Sequence, residues 1–198
     1  MLEIAILIAT NAHQGQVDKA GKPYILHPLR LMFSRQNETE RICAVLHDVI
    51  EDTDITLDYL RNQGFSEEVL AALEALTTRS DETYDEFISR IINNRIACYV
   101  KLADLCDNMD LSRIENPSEK DYIRIQKYRK AADRILGALD EIGDREFAKT
   151  KKIEVNGCVS VPEGCSEGEF SGKFIEFVER NNWAFVGGIN GFTNNDSK

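Results

Sequence analysis

Ala44-Val45-Leu46-His47-Asp48-Val49-Ile50-Glu51-Asp52-Thr53 sets four adjacent ionisable side chains into a run that is otherwise apolar. The spacing predicts one helix over 39–51, with Ile42, Ala44, Val45, Leu46, Val49 and Ile50 burying most of its circumference. On a regular helix His47 and Glu51 lie ~40° apart, and Asp48 and Asp52 are likewise neighbours. One reading of such a face is a solvated acidic stripe. The other is a cation site. Apolar residues before His47 and between the two acidic pairs leave little exposed surface, and a buried carboxylate without a partner is costly. A bound metal satisfies that charge.

The pattern recurs downstream. Val100-Lys101-Leu102-Ala103-Asp104-Leu105-Cys106-Asp107-Asn108 places Asp104 and Asn108 four residues apart on one helix face, with apolar neighbours around Asp104. Taken alone, this reads first as a polar helix end. His27-Pro28 puts a third candidate ligand at a helix start, where proline's missing N–H is harmless. His27, His47, Asp48 and Asp104 together form a set that suits a divalent metal with open positions. His13, in Ala12-His13-Gln14-Gly15-Gln16, lies upstream of it. A metal beside Glu51 and Asp52 is an apparatus for hydrolysis, in which the metal activates water and an acid handles the proton.

Outward from these segments the chain reads as helix after helix to about residue 142. The expected helices cover 2–15, the region after His27-Pro28, 39–51, a short one capped by Thr56 and ended at Gly64, one opened by Ser66, Thr83–Asn93, Arg95–Met109 and 118–142. Gly21-Lys22-Pro23 is a turn. Composition shifts after about Lys152. Val155–Val161 alternates like a strand, Ser166–Asn181 is an amphipathic helix, and Trp183–Ile189 is a second strand candidate. The expected fold is mostly α, a multi-helix bundle over 1–150 with a small β-α-β appendage over 151–198. So short an appendage needs something to pack on, and its apolar strand edge is open to pairing with another copy of the chain.

At 198 residues the chain can bury a core without staples. Its formal net charge of −10 argues against broad nucleic-acid or acidic-membrane binding. It leaves room for an anionic substrate, because a metal and a few local cations reverse the field inside a cleft. Cys43, Cys98, Cys106, Cys158 and Cys165 contain no CxxC pair and read as free thiols of a reducing compartment. The apolar stretch at 1–9 carries Glu3 and lacks a basic flank, so it reads as an amphipathic helix of a cytoplasmic protein.

The segments His13-Gln14-Gly15-Gln16, Gly21-Lys22-Pro23-Tyr24-Ile25-Leu26-His27-Pro28, His47-Asp48-Val49-Ile50-Glu51-Asp52-Thr53 and Lys101-Leu102-Ala103-Asp104 with Asn108 resemble the HD-domain hydrolases. In particular they resemble the hydrolase half of the bifunctional alarmone enzymes and its stand-alone small versions, over about residues 1–140. The resemblance implies that His27, His47, Asp48 and Asp104 ligate a metal, usually Mn²⁺, and that Glu51 and Asp52 orient or deprotonate the attacking water. It further implies that Lys19 and Tyr24 lie near the nucleotide, Arg79 near the phosphates, and Asn108 near metal and substrate. The implied reaction is hydrolysis of the 3′-pyrophosphate of (p)ppGpp to GDP or GTP and pyrophosphate. Three acids depart from the family pattern. Asp18 stands where a basic residue usually packs on the base, and Asp107 and Asp110 stand where His and Arg are usual; Leu111 replaces a Thr near the ribose. They open a second expectation, a different nucleotide or phosphoester. The tail from Val161 to Gly188 resembles part of a bacterial family of ribosome-associated proteins, which implies a ribosome partner; a non-catalytic nucleotide sensor is the remaining reading.

Overall fold

The computed structural model describes residues 1–111, 114, 118–141, 162 and 164–180. These residues form ten α-helices: α1 (Leu2–Ala12), α2 (Leu26–Phe33), α3 (Glu38–Leu46), α4 (Val49–Asp52), α5 (Leu57–Asn62), α6 (Glu67–Leu76), α7 (Tyr84–Ile92), α8 (Arg95–Met109), α9 (Glu119–Glu141) and α10 (Glu167–Arg180). The only β pairing among the described residues is one bridge, Val17 to Pro23, that closes the loop between α1 and α2. The expected helical bundle is therefore present, and α10 falls within the helix expected over Ser166–Asn181. Both strand candidates lie outside the described residues.

Two helices are buried nearly all round and make the centre. In α3, Ile42, Cys43, Ala44, Val45 and Leu46 are buried; in α8, Ala97, Cys98, Val100, Leu102 and Leu105 are. An element apolar on every face must be enclosed. α1, α2 and α6 pack on α3, while α2, α3, α6, α7 and α9 pack on α8. Each buried Leu or Val here contributes about 1.5–3 kcal/mol by removal from water.

Helix starts follow local chemistry. Thr56, Ser66, Thr83 and Asn94 each accept a hydrogen bond from a backbone N–H in the first turn, and Thr83 with Glu86 completes a reciprocal capping box. Arg90 closes the other end of α6 by donating to the carbonyls of Glu74, Ala75 and Thr77. Among the described residues no helix is long and apolar enough to cross a membrane.

Two expectations are corrected. Pro28 is the third residue of α2, not the first, because the helix begins at Leu26; the position is still within the first turn, whose N–H groups have no intrahelical acceptor. More consequentially, 39–51 is not one helix. The chain leaves α3 after Leu46 and re-enters a helix at Val49, with Asp48 at φ −98°, ψ −8°. Consecutive residues of a regular helix point ~100° apart. The break lets His47 and Asp48 converge on one point instead.

Candidate metal centre

His27 stands in the first turn of α2, His47 at the end of α3, and Asp104 two turns into α8, so three packed helices bring them together. One donor atom from each lies within 4.8 Å of the other two, and all three residues are buried. Asp104 Oδ1 is 3.2 Å from His27 Nε2 and 3.8 Å from His47 Nε2. Asp48 lies alongside, its Oδ2 2.9 Å from His47 Nε2 and 3.8 Å from His27 Nε2.

These atoms converge on a common point better than they bond to one another. His47 Nε2 is fully buried and has no hydrogen bond of acceptable geometry, although Asp48 is near. His47 Nδ1 is held 2.9 Å from the carbonyl oxygen of Ala44. That carbonyl can only accept, so Nδ1 carries the proton and Nε2 presents its lone pair. An orphaned, buried imidazole lone pair beside two carboxylates fits a divalent cation.

The electrostatics agree with a site built to hold positive charge. Burial alone would lower the His47 pKa, but Asp48 and Asp104 outweigh it and push it up to about 10. His27 is raised too, Asp104 and Asp107 overcoming its burial. Against its own desolvation, the Lys101 ammonium and both histidines hold Asp104 well below the usual carboxylate range. Metal-free, the histidines take up protons that a metal would displace.

Each candidate ligand is fixed from behind. Lys101 Nζ donates to Asp104 Oδ2 at 2.7 Å, leaving Oδ1 to face the histidines and the Asn108 amide, which donates to it. The Tyr24 hydroxyl donates to Asp48 Oδ2. Burial and the Asp48 charge raise the Tyr24 pKa, so the phenol stays a donor. Its ring packs between His13 and His27, with centroids 5.0 and 5.8 Å away. His13, buried, turns Nδ1 to Gln16 Oε1 at 2.8 Å, and the Gln16 amide donates to the Asp52 carbonyl at 3.4 Å.

The two remaining acids of α4 face outward. Glu51 accepts from the Thr78 N–H at 3.0 Å, which ties α4 to the α6–α7 loop. Partial burial and the charges of Asp48 and Glu51 raise the Asp52 carboxyl above its ordinary value, toward the range useful for proton transfer.

Beside the ligands opens a cavity of about 350 Å³. Lys19, Arg30 and Arg124 line it as cations, with Tyr24 and Asn108 at the ligand end. Arg79 does not line it; this residue pairs with Glu74 at 3.4 Å on the surface, next to Thr78. Asp18, Asp107 and Asp110 also line the cavity. Asp18 Oδ1, however, accepts from the N–H groups of Ala20 and Lys22, both at 2.9 Å, and so organises its own loop. Asp107 is engaged by His27 and Arg30. Leu111 packs against the core.

Sequence reasoning missed Arg30, Lys101 and Arg124, and read Asp107 as an acid toward substrate instead of a partner of His27 and Arg30. Arg30 and Asp107 are 77 residues apart, so no local pattern pairs them. Lys101 precedes Asp104 by three residues on one helix, a spacing that could have flagged it. Arg124 sits on the polar face of α9, and its Nε is buried without a partner.

No family model matches the chain. It is 30% identical over 133 residues to a guanosine-3′,5′-bis(diphosphate) 3′-pyrophosphohydrolase of Vibrio cholerae, covering 60% of this chain and 19% of the relative. It is 32% identical over 122 residues to the bifunctional (p)ppGpp synthase/hydrolase SpoT of Escherichia coli, covering 54% and 17%. These matches span less than a fifth of the relatives' length. Among solved structures, one described as a metazoan ortholog of SpoT that hydrolyzes ppGpp superposes with a TM-score of 0.57 at 23% identity, over 73% of this chain and 94% of that one. The chain is thus similar in sequence to proteins named as (p)ppGpp hydrolases and shares the helical fold of a metazoan SpoT ortholog.

Proposed function

We propose that the chain is a metal-dependent phosphohydrolase acting on the 3′-pyrophosphate of (p)ppGpp. The observation that carries this is the convergence of His27 Nε2, the orphaned His47 Nε2 and Asp104 Oδ1 beside a cavity that Lys19, Arg30 and Arg124 help to line. His27, His47, Asp48 and Asp104 would hold the metal, Mn²⁺ in this reading. When bound, a divalent ion there lowers the pKa of a water and polarises a phosphoryl oxygen.

The chain's own groups do the rest. Glu51, held by Thr78, and Asp52, raised in pKa, are the acidic pair that orients and deprotonates the attacking water. The water oxygen bonds to the 3′-phosphorus, the bond to the ribose 3′-oxygen breaks, and that oxygen takes a proton from solvent while the acid returns its own. GDP or GTP and pyrophosphate result. Lys19, Arg30 and Arg124 meet the phosphates; Asn108 and Tyr24 order the ligand end of the cavity. Arg79, next to the Thr78 whose N–H holds Glu51, is a further cation this reading assigns to the phosphates. In this reading the activity belongs to the unit spanning 1–150, acting in the cytoplasm, and 151–198 would be the segment that meets a second copy or a ribosomal partner.

One observation favours a second substrate. Asp18 and Asp110 keep carboxylates on the cavity wall, and these suit a nucleotide or phosphoester with fewer charges. A panel of ppGpp, pppGpp, GTP and a chromogenic phosphodiester, each with Mn²⁺, separates the readings. Pyrophosphate from the first two alone supports the alarmone reading, whereas turnover of another substrate in their place rejects it.

A further inference from the structure

The two histidines of the metal centre are held differently. Nδ1 of His47 meets a neutral carbonyl on its own helix. Nδ1 of His27 meets a carboxylate 80 residues away, Asp107 Oδ2, at 2.7 Å. That carboxylate is itself gripped from its far side. Arg30 Nε donates to Asp107 Oδ1 at 2.7 Å and Arg30 Nη2 to Oδ2 at 2.9 Å. A two-point guanidinium pairing fixes the plane of the carboxylate as well as its distance. Arg30 is one turn after His27 on α2, and Asp107 is three residues after Asp104 on α8. The pair therefore sits beside the ligands, on the same two helices that carry them and on the wall of the cavity.

Resting on the metal reading, we propose that Asp107, clamped by Arg30, is the positioning residue for His27, fixing its ring as a ligand through Nε2. An acceptor-only carboxylate at Nδ1 forces the proton onto that nitrogen and turns the Nε2 lone pair toward Asp104 and His47. Its charge also makes the imidazole a stronger donor, as carboxylate–histidine–metal arrangements do. Arg30 does two things. It neutralises a carboxylate that would otherwise repel an anionic substrate, and it stops Asp107 from swinging forward. The acid at 107 is a departure in sequence but a working part in structure.

The test needs no substrate. Mn²⁺ is titrated calorimetrically into the full chain, Asp107→Ala, Asp107→Asn and Arg30→Met, with circular dichroism confirming helicity. Removal of an outer partner of a metal-bound histidine weakens binding by roughly 10–100-fold, and that loss is expected for Asp107→Ala. Asp107→Asn keeps an acceptor for Nδ1–H but not the charge, so its affinity should fall between; Arg30→Met should also weaken binding. Should Asp107→Ala fail to fold, the other two decide. Variant affinities within about twofold of the parent, a margin well under the usual effect, overturn the proposal alone. A parent chain that binds no Mn²⁺ overturns the metal reading beneath it.

Discussion

The Lys101 ammonium lies 2.7 Å from Asp104 Oδ2, one turn along the same helix and largely buried with it. The pair divides the carboxylate, with one oxygen for the lysine and one for the histidines. Lys101→Met should leave Asp104 buried with its second oxygen unpaired. Breaking a buried pair from one side costs about 3–5 kcal/mol; here Asn108 and His27 offset part of that. The metal-free variant should melt well below the parent, and Mn²⁺ should recover part of the difference. Equal melting temperatures without metal would show that Lys101 does not organise the site.

Proton linkage gives a second test. Burial lowers and the two carboxylates raise the His47 pKa, with a net rise to about 10, and His27 is also raised. A group raised in the folded state stabilises the metal-free fold fully below its unfolded value, near ~6.5 for His. That stability is lost as pH climbs through the folded value. The metal-free protein should therefore lose stability from about pH 6.5 toward 10, and Mn²⁺ affinity should climb over the same window as displaced protons become easier to remove. Calorimetry in buffers of different ionisation enthalpy should register proton release; heats that do not depend on buffer would contradict this.

Glu51→Gln should keep the metal and lose activity by ~10²–10⁴-fold. Its hydrogen bond from Thr78 survives in the amide, so melting temperature should barely move. Full activity in this variant would remove Glu51 from the mechanism and leave the proton to Asp52.

Core and cap predictions check the fold itself. Leu46→Ala, at a position with no solvent exposure, should cost about 2–5 kcal/mol. Thr83→Ala, which breaks the capping box of α7, should cost about 1 kcal/mol. Urea denaturation distinguishes the two by midpoint.

Local signals were readable in the sequence and distant ones were not. Thr56, Ser66 and Thr83 cap helices where the sequence places them, because a cap is decided within four residues. The ligand candidates stood out because carboxylates in apolar runs need an explanation. The break at His47-Asp48 was illegible: every residue from Ala44 to Asp52 tolerates a helix, and packing of α3 between α1, α2, α6 and α8 decides where it stops. Asp107 read as an acid facing substrate because its partners, His27 and Arg30, come from a different helix. Asp18 likewise serves the loop that Val17 and Pro23 close.

Metal-dependent release of pyrophosphate from ppGpp is the most direct measurement, made on the purified chain with and without Mn²⁺ and beside Asp104→Asn. GDP and pyrophosphate should appear in equal amounts, only with metal and only from the parent. Release that continues in Asp104→Asn, or a folded, Mn²⁺-loaded parent that leaves ppGpp intact, would contradict the proposed function.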